Sequence, residues 1–246
     1  MLSAKELYAK AKQEGLQQQL LQFEGLLTML QYRKPYEITS RYIGKSKEVL
    51  DWGCGNGHFS YFLTQNGVLA TGFSFEPSPI FLRDSPLFEH AVGSPDDPVA
   101  LPFSIERFDA VFSVGVLEHV YQTGGDEIGS LKEIRRVLRP NGRFFCFHFP
   151  NKHQWIEPVA KLLGGAEHFH ERKYSIKEIR SLLDDSGFTL LDWGRYNFLP
   201  RNQLRKLPAS IMDNPLVVSV FQWLDQSLSF LLPMLCTNFY FVAEKK

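Results

Sequence analysis

The sequence predicts an α/β fold, a mainly parallel sheet with helices on both faces, and three observations predict it. Short apolar runs alternate with amphipathic ones along the chain, as strands alternating with helices do. The run Glu48 to Trp52 passes through three glycines, Gly53, Gly55 and Gly57, into a segment whose apolar positions include Phe59, Phe62 and Leu63, the pattern of strand, tight loop and helix. The 246 residues, 44% of them hydrophobic and 22% charged, are enough to bury a substantial core in one large domain or a domain with a cap.

The glycine loop is the centre of the expected site. Gly53, Gly55 and Gly57 remove side chains where a ligand would lie against the backbone, and the following helix would present N–H groups to an anion. Asp51 places a negative charge beside the loop, which suits a ligand with an amino group or another cationic centre. A dinucleotide fingerprint would need its third glycine at position 58, which is His58, so that spacing fails.

Composition narrows the classes further. Lys and Arg total 27 against 27 for Asp and Glu, so no global field draws the protein to nucleic acid or anionic lipid, and no nucleic-acid partner is indicated. Cys54, Cys146 and Cys236 are too dispersed for a disulfide framework or a zinc site. The charged N-terminus lacks a signal-peptide core and no apolar run reaches membrane-spanning length, so a cytoplasmic protein is expected.

In chain order, residues 3 to 31 read as helix, opened by a Ser3/Glu6 capping box and striped by Leu16, Leu20, Phe23, Leu27 and Leu30, with Gly15 as a point of division. Tyr32, Arg33, Tyr36, Arg41 and Tyr42 lead into the first strand at 47 to 52. Asn66-Gly67 stops the next helix, and Val68 to Phe75 reads as a second strand. Its end should carry a ribose-binding acidic residue, which is Glu76 if the strand end is shifted; otherwise Ser74 makes a weaker contact. A third strand is expected at Phe88 to Val92, and a fourth from Phe108.

Two segments carry a family resemblance. Leu50-Asp51-Trp52-Gly53-Cys54-Gly55-Asn56-Gly57 resembles the first motif of the class I S-adenosylmethionine-dependent methyltransferases. Asp97 to Phe103 followed by Phe108 to Val120, with Leu117-Glu118-His119 inside it, resembles the small-molecule methyltransferases of ubiquinone and menaquinone biosynthesis. The resemblance covers about residues 47 to 193 and the terminal strand. It implies a Rossmann-like, seven-stranded sheet whose last strand is antiparallel, with S-adenosylmethionine as cofactor and S-adenosylhomocysteine as product. It also places Asp51, Gly53, Cys54, Gly55, Gly57, Ser74, Glu76, Asp97, Pro98, Ser113 and Val114 at the cofactor, Asp97 beside the adenine amino group and the backbone of Ser113 and Val114 around the methionine end.

Asp126 to Leu138 reads as an amphipathic helix, broken by Arg139-Pro140-Asn141-Gly142 before a fifth strand from Arg143 to Phe149; the family usually has Pro-Gly-Gly at this break. Residues 150 to 173 show little periodicity. Their His168 and His170 lack a third ligand at metal-site spacing, so no metal is expected. A helix from Ser175 to Leu183, opened by Ser175 and Glu178, precedes a sixth strand at Thr189 to Trp193. Residues 195 to 235 form an insertion with a helix capped by Asn214 and stopped by Pro233, its side with Val217, Phe221, Leu224, Leu228 and Leu231 apolar, its side with Gln222, Asp225, Gln226 and Ser229 polar. A substrate lid or core helix is the first reading of it, a dimer contact the second, membrane contact through upstream Arg201, Arg205 and Lys206 the third. The last strand is expected at Asn238 to Ala243.

The organisation expected is a helical segment at 1–46, acting as a cap, on a cofactor-binding domain at 47–246, with 150–173 and 195–235 as substrate-side insertions. The implied reaction is in-line methyl transfer to a small-molecule or lipid-like acceptor, apolar or aromatic, with His119 the first candidate base and His148 the second. Three other readings stand beside it: a protein that binds S-adenosylmethionine for regulation or assembly without transfer, an aminopropyl transferase, and, least favoured, a nicotinamide oxidoreductase. Oligomeric state is open.

Overall fold

Seven strands form one sheet in the order β3-β2-β1-β4-β5-β7-β6. The computed structural model describes residues 1–162, 170–200, 204 and 207–246. In chain order the elements are α1 (Ala4–Gln13), α2 (Leu26–Met29), α3 (Arg33–Tyr42), β1 (Glu48–Trp52), α4 (His58–Gln65), β2 (Leu69–Ser74), β3 (Phe88–Val92) and β4 (Phe108–Val114). They continue with α5 (Glu127–Val137), β5 (Leu138–Pro150), α6 (Ile156–Leu162), α7 (Ile176–Asp185), β6 (Phe188–Tyr196), α8 (Ala209–Met212), α9 (Pro215–Leu231) and β7 (Asn238–Lys245). β1 to β5 pair in parallel, and β7 runs antiparallel between β5 and β6. The fold is the expected Rossmann-like one.

Side-chain alternation along the central strands builds two cores. Val49, Ala110, Phe112, Phe145, Phe147 and Val242 face one layer, made by α1, α3, α4 and the buried Met212 of α8 and Val218 of α9. Their neighbours Leu50, Val111, Phe144, Cys146, Phe241 and Ala243 face the other, made by Leu131, Ile134 and Val137 of α5 and Ile179 and Leu183 of α7. Each fully buried Phe or Leu contributes about 1.5–3 kcal/mol relative to exposure.

Several expectations need correction. The stretch from 3 to 31 is not one helix: the Ser3/Glu6 capping box forms, but α1 ends before Gly15, whose left-handed φ of 70° turns the chain into short 3-10 segments. Its stripe nevertheless behaves as read, since Leu16, Leu20, Phe23, Leu27 and Leu30 are all buried in the first core. β5 begins at Leu138 rather than after a break, because Asn141 takes a φ of 59° and lets the chain continue through a register shift. Residues 150 to 173 contain a helix, α6. Gly164-Gly165, His168, Arg201, Arg205 and Lys206 lie outside the described residues.

α9 has its expected Asn214 cap and Pro215 at its first turn, but its sides are not divided as expected: Phe221 of the apolar side packs on the first core and Gln226 of the polar side is exposed, while other members of each side turn the opposite way. Val217, Leu224 and Leu231 are exposed, with Trp223 (66%) and Phe230 (83%), whereas Asp225 is 5% exposed. The cause is what α9 packs on: Asp225, Gln226 and Ser229 share a cleft with Arg33, Lys34, Arg195 and Asn197, and Asp225 Oδ1 accepts the Leu199 N–H at 2.8 Å. Among the described residues no helix is long and apolar enough to cross a membrane.

Candidate active site

The sheet order reverses between β1 and β4, and open α/β sheets leave a crevice beyond the strand ends at such a point. A pocket of about 290 Å³ lies there, lined by Trp52, Gly53 and Gly55 after β1, Phe73 to Glu76 around the end of β2, Pro98, and Gly115, Val116, His119, Val120 and Thr123 after β4. Gly53 is required by both conformation and space: its φ is 76°, and a Cβ there would stand 2.4 Å from the Val116 side chain. Gly55 differs, since a Cβ there would meet nothing within 4 Å, so open space lies against its backbone.

Asp51 lies beneath this loop, buried, and not among the lining residues. Its carboxylate accepts the Ser60 hydroxyl at 2.6 Å and a backbone hydrogen bond from Ser60, at the start of α4. Burial pushes its pKa up to about 6 against those hydrogen bonds. The negative charge at this helix N-terminus is therefore the protein's own. Gly53 and Cys54 also spend their N–H groups on the Phe73 carbonyl, at 2.8 and 3.0 Å, so the expected anion cradle is largely filled from within.

Both alternatives at the end of β2 line the pocket, in different surroundings. The Ser74 hydroxyl donates to the Glu76 carbonyl at 3.0 Å and lies 3.2 Å from His90 Nε2, so it shapes the turn. Glu76 is left exposed at the pocket with its carboxylate.

Of the other expected cofactor residues, Pro98 lines the pocket and the rest do not. Cys54 is buried, with its sulfur against Gly72, where a Cβ would stand 2.9 Å from Sγ; burial drives its thiol up to about 12. Gly57 starts α4 and packs on Pro79. One Asp97 oxygen accepts the Ala100 N–H at 3.2 Å, and the Ser113 hydroxyl accepts that of Leu117. Ser113 and Val114 lie just short of the pocket, and Gly115 and Val116 line it instead.

The two candidate bases are in different places. His119 lines the pocket, and burial together with the neighbouring His170 lowers its pKa below the ordinary histidine value, leaving it neutral near pH 7. His148, at the end of β5, is not a lining residue. It sits 4.9 Å ring to ring from Tyr32, its Nδ1 is 3.3 Å from the Asn238 amide, and its backbone N–H donates to the Tyr196 hydroxyl.

The apolar walls from Trp52, Phe73, Phe75, Val116 and Val120 had no signal in the sequence beyond hydrophobicity. Glu118 stands in the quoted Leu117-Glu118-His119 run but was given no role there; it is 3% exposed, and burial pushes its carboxyl up to about 8. It falls with His119 and His170 in one cluster whose candidate ligand atoms lie within 4.8 Å of one another. Of His168 and His170 in the 150–173 loop, His170 lies beside Glu118 and His119, and His168 is outside the described residues.

A Rossmann-like fold with a glycine loop, an acidic residue beyond β2 and a pocket at the sheet's switch point defines a nucleoside-cofactor enzyme. Residues 29–192 match the family described as a methyltransferase domain, and the chain belongs to that family. S-adenosylmethionine is the cofactor that the resemblance in the sequence implies. The residues fit that group: open space against Gly55, an exposed carboxylate at Glu76 and a buried one at Asp51 suit a ribose and a cationic sulfonium amino acid.

A tRNA U34 carboxymethyltransferase of Saccharophagus degradans is 34% identical over 106 residues, 40% of this chain and 31% of that protein, so the chain spans about a third of its length. A demethylmenaquinone methyltransferase of Tropheryma whipplei is 25% identical over 173 residues, 62% of this chain and 70% of that protein. The fold is shared with the 1,6-didemethyltoxoflavin-N1-methyltransferase of Burkholderia thailandensis, solved with S-adenosylhomocysteine, at TM-score 0.58 and 18% identity over 88% of this chain and 78% of that one. The relatives named for tRNA correct the expectation drawn from net charge, since a charge balance of zero does not speak against a nucleic-acid partner.

Proposed function

We propose that S-adenosylmethionine lies in the pocket beyond β1, β2 and β4, and that its methyl group passes by in-line displacement to an acceptor arriving beside His119. The observation that carries this is the meeting of Gly53, Gly55, Glu76 and His119 in one pocket. When bound, S-adenosylmethionine supplies a sulfonium-activated methyl group. Glu76 accepts the ribose hydroxyls, Asp51 provides negative charge beneath the loop, Pro98 with Asp97 borders the adenine, and the backbone following Ser113 and Val114 borders the methionine end. His119, neutral at pH 7, is the pocket side chain placed to take a proton from the acceptor. Alignment contributes roughly 7–11 kcal/mol to such a reaction. A base contributes roughly 3–5 kcal/mol.

Two acceptor classes each have an observation in their favour. The demethylmenaquinone methyltransferase aligns over more of this chain, which favours a small ring acceptor. The tRNA U34 relatives are more similar over a shorter stretch and favour a nucleic acid, with a carboxymethyl group as the one those proteins move by name.

Calorimetric titration with S-adenosylmethionine and S-adenosylhomocysteine, with NADH as control, tests the cofactor site. Micromolar binding of both, weakened about tenfold or more by Glu76→Ala through loss of two charge-assisted hydrogen bonds, is expected. No binding by folded protein overturns the reading. Labelled S-adenosylmethionine offered with bulk tRNA and, separately, with a quinone-containing lipid extract then separates the acceptors; binding without transfer to either pool favours a regulatory or assembly role.

A further inference from the structure

Glu118, His119 and His170 are not adjacent in sequence as a set, yet a candidate ligand atom from each lies within 4.8 Å of the others. His119 Nε2 is 4.0 Å from Glu118 Oε1, and the His119 and His170 rings stack at 5.6 Å between centroids. A carboxylate with two imidazoles is the donor set of divalent transition metals. Metal–ligand bonds of about 2.0–2.2 Å bring such atoms to roughly 3–3.5 Å of one another. The cluster needs to contract by about an ångström, within reach of the half-exposed His119 and His170 side chains.

Two further observations point to a ligand. Glu118 is 3% exposed and its Oε2 has no hydrogen-bond partner among the described residues, a costly state for a carboxyl group and one that a cation would relieve. Glu157 Oε1 lies 3.1 Å from His170 Nδ1 and is itself paired with Lys173. A proton held on Nδ1 toward Glu157 leaves Nε2 with its lone pair, the carboxylate–histidine arrangement that orients metal ligands. A bare His170–Glu157 ion pair accounts for His170 but not for the buried, unpartnered oxygen of Glu118.

We propose that Glu118, His119 and His170 bind a first-row divalent transition metal ion, oriented through Glu157, at the border of the cofactor pocket. Three protein ligands leave coordination positions open, and because His119 also lines the pocket, the class of acceptor served is one with an oxygen able to bind the ion. With the ion bound, His119 is a ligand, and an acceptor hydroxyl loses its proton to solvent through coordination to the metal rather than to His119.

The test needs no S-adenosylmethionine, so it fails or succeeds apart from the cofactor reading. Untagged full-length protein, stripped with chelator, is titrated with Co2+ while its visible d–d bands are followed, and with Zn2+ by calorimetry. Saturable binding of about one ion at micromolar affinity or tighter is expected, with His170→Asn and His119→Asn each weakening it about tenfold or more and Glu157→Gln weakening it less. Circular dichroism and an unchanged urea midpoint of metal-free His170→Asn show that the variant is folded. Absence of cobalt bands in the wild type, or binding that both histidine variants leave unchanged, overturns the proposal.

Discussion

At position 58, where a dinucleotide site would have glycine, this chain buries a histidine. His58 opens α4, its ring 4.3 Å from that of Tyr32, and its Nε2 has no hydrogen-bond partner among the described residues. Burial, with a smaller contribution from His148, lowers its pKa to about 3. In the unfolded chain a histidine takes up a proton near pH 6.5, and between that pH and about 3 the unfolded state holds more protons. Stability is therefore lost as pH falls below about 6.5, at up to about 1.4 kcal/mol per unit from this residue. His58→Phe should flatten that slope: urea midpoints of variant and wild type should diverge in the variant's favour on going from about pH 7 to about pH 5, and parallel midpoints would show that His58 is solvated. The failure of the dinucleotide spacing at this residue was legible in the sequence; that the same ring is a core residue was not, because Tyr32 reaches it from a separate segment. The same holds for Glu118, whose partners His119 and His170 meet only once β4 and the loop after α6 are side by side. Glycines and Asp51 were readable because their meaning is local, although Asp51 serves α4 from beneath the loop rather than facing the pocket.

Most elements were legible because strands and caps are written locally: β3 runs over the expected residues, and the capping boxes at Ser3 and Ser175 both form. α9 shows where this stops. Its periodicity is real, but periodicity gives two faces and not which of them turns inward. The cleft it borders carries Arg33, Lys34, Arg195 and Asn197, so Asp225 turns in along with Val218 and Phe221, while Trp223 stays exposed and Phe230 sits exposed at the cleft's rim. The stability of variants should follow each residue's burial rather than its polarity. Asp225→Ala strips the acceptor from the Leu199 N–H and is expected to cost about 1–3 kcal/mol. Trp223→Ser and Phe230→Ser, on the exposed side, should each stay within about 0.5 kcal/mol of wild type. Urea unfolding of the three variants checks this, and a reversed order would place the apolar side of α9 against the core.

At the scale of the whole molecule the open question is whether residues 1–46 behave as a cap or as part of the main body. Leu7, Leu20, Phe23, Leu27 and Leu30 share one core with Phe59 and Phe62 of α4 and with Phe112, Phe145 and Phe147 of the sheet. Polar ties reach across the same boundary. The Tyr61 hydroxyl donates to Glu14 at 2.7 Å, the Asn56 amide to Gln22 at 2.8 Å, and the Leu2 N–H to Asn66 at 2.6 Å. Asp213, just after α8, accepts from the Tyr8 hydroxyl, the Leu26 N–H and Lys12 at once, so the insertion that contains α8 and α9 is tied to the same segment. A lid that opens independently would have to expose four or five fully buried apolar side chains, at about 1.5–3 kcal/mol each, which is comparable to the global stability of a domain. The segment should therefore unfold with the sheet. Native-state hydrogen exchange reads this directly: the amides of Leu7 and Leu20, bonded to the Ser3 and Leu16 carbonyls, should exchange with the same opening free energy and the same denaturant dependence as those of Val49 and Leu50 in β1. Exchange of Leu7 and Leu20 at a markedly lower free energy, while Val49 and Leu50 stay protected, would instead make residues 1–46 a movable cap over the site.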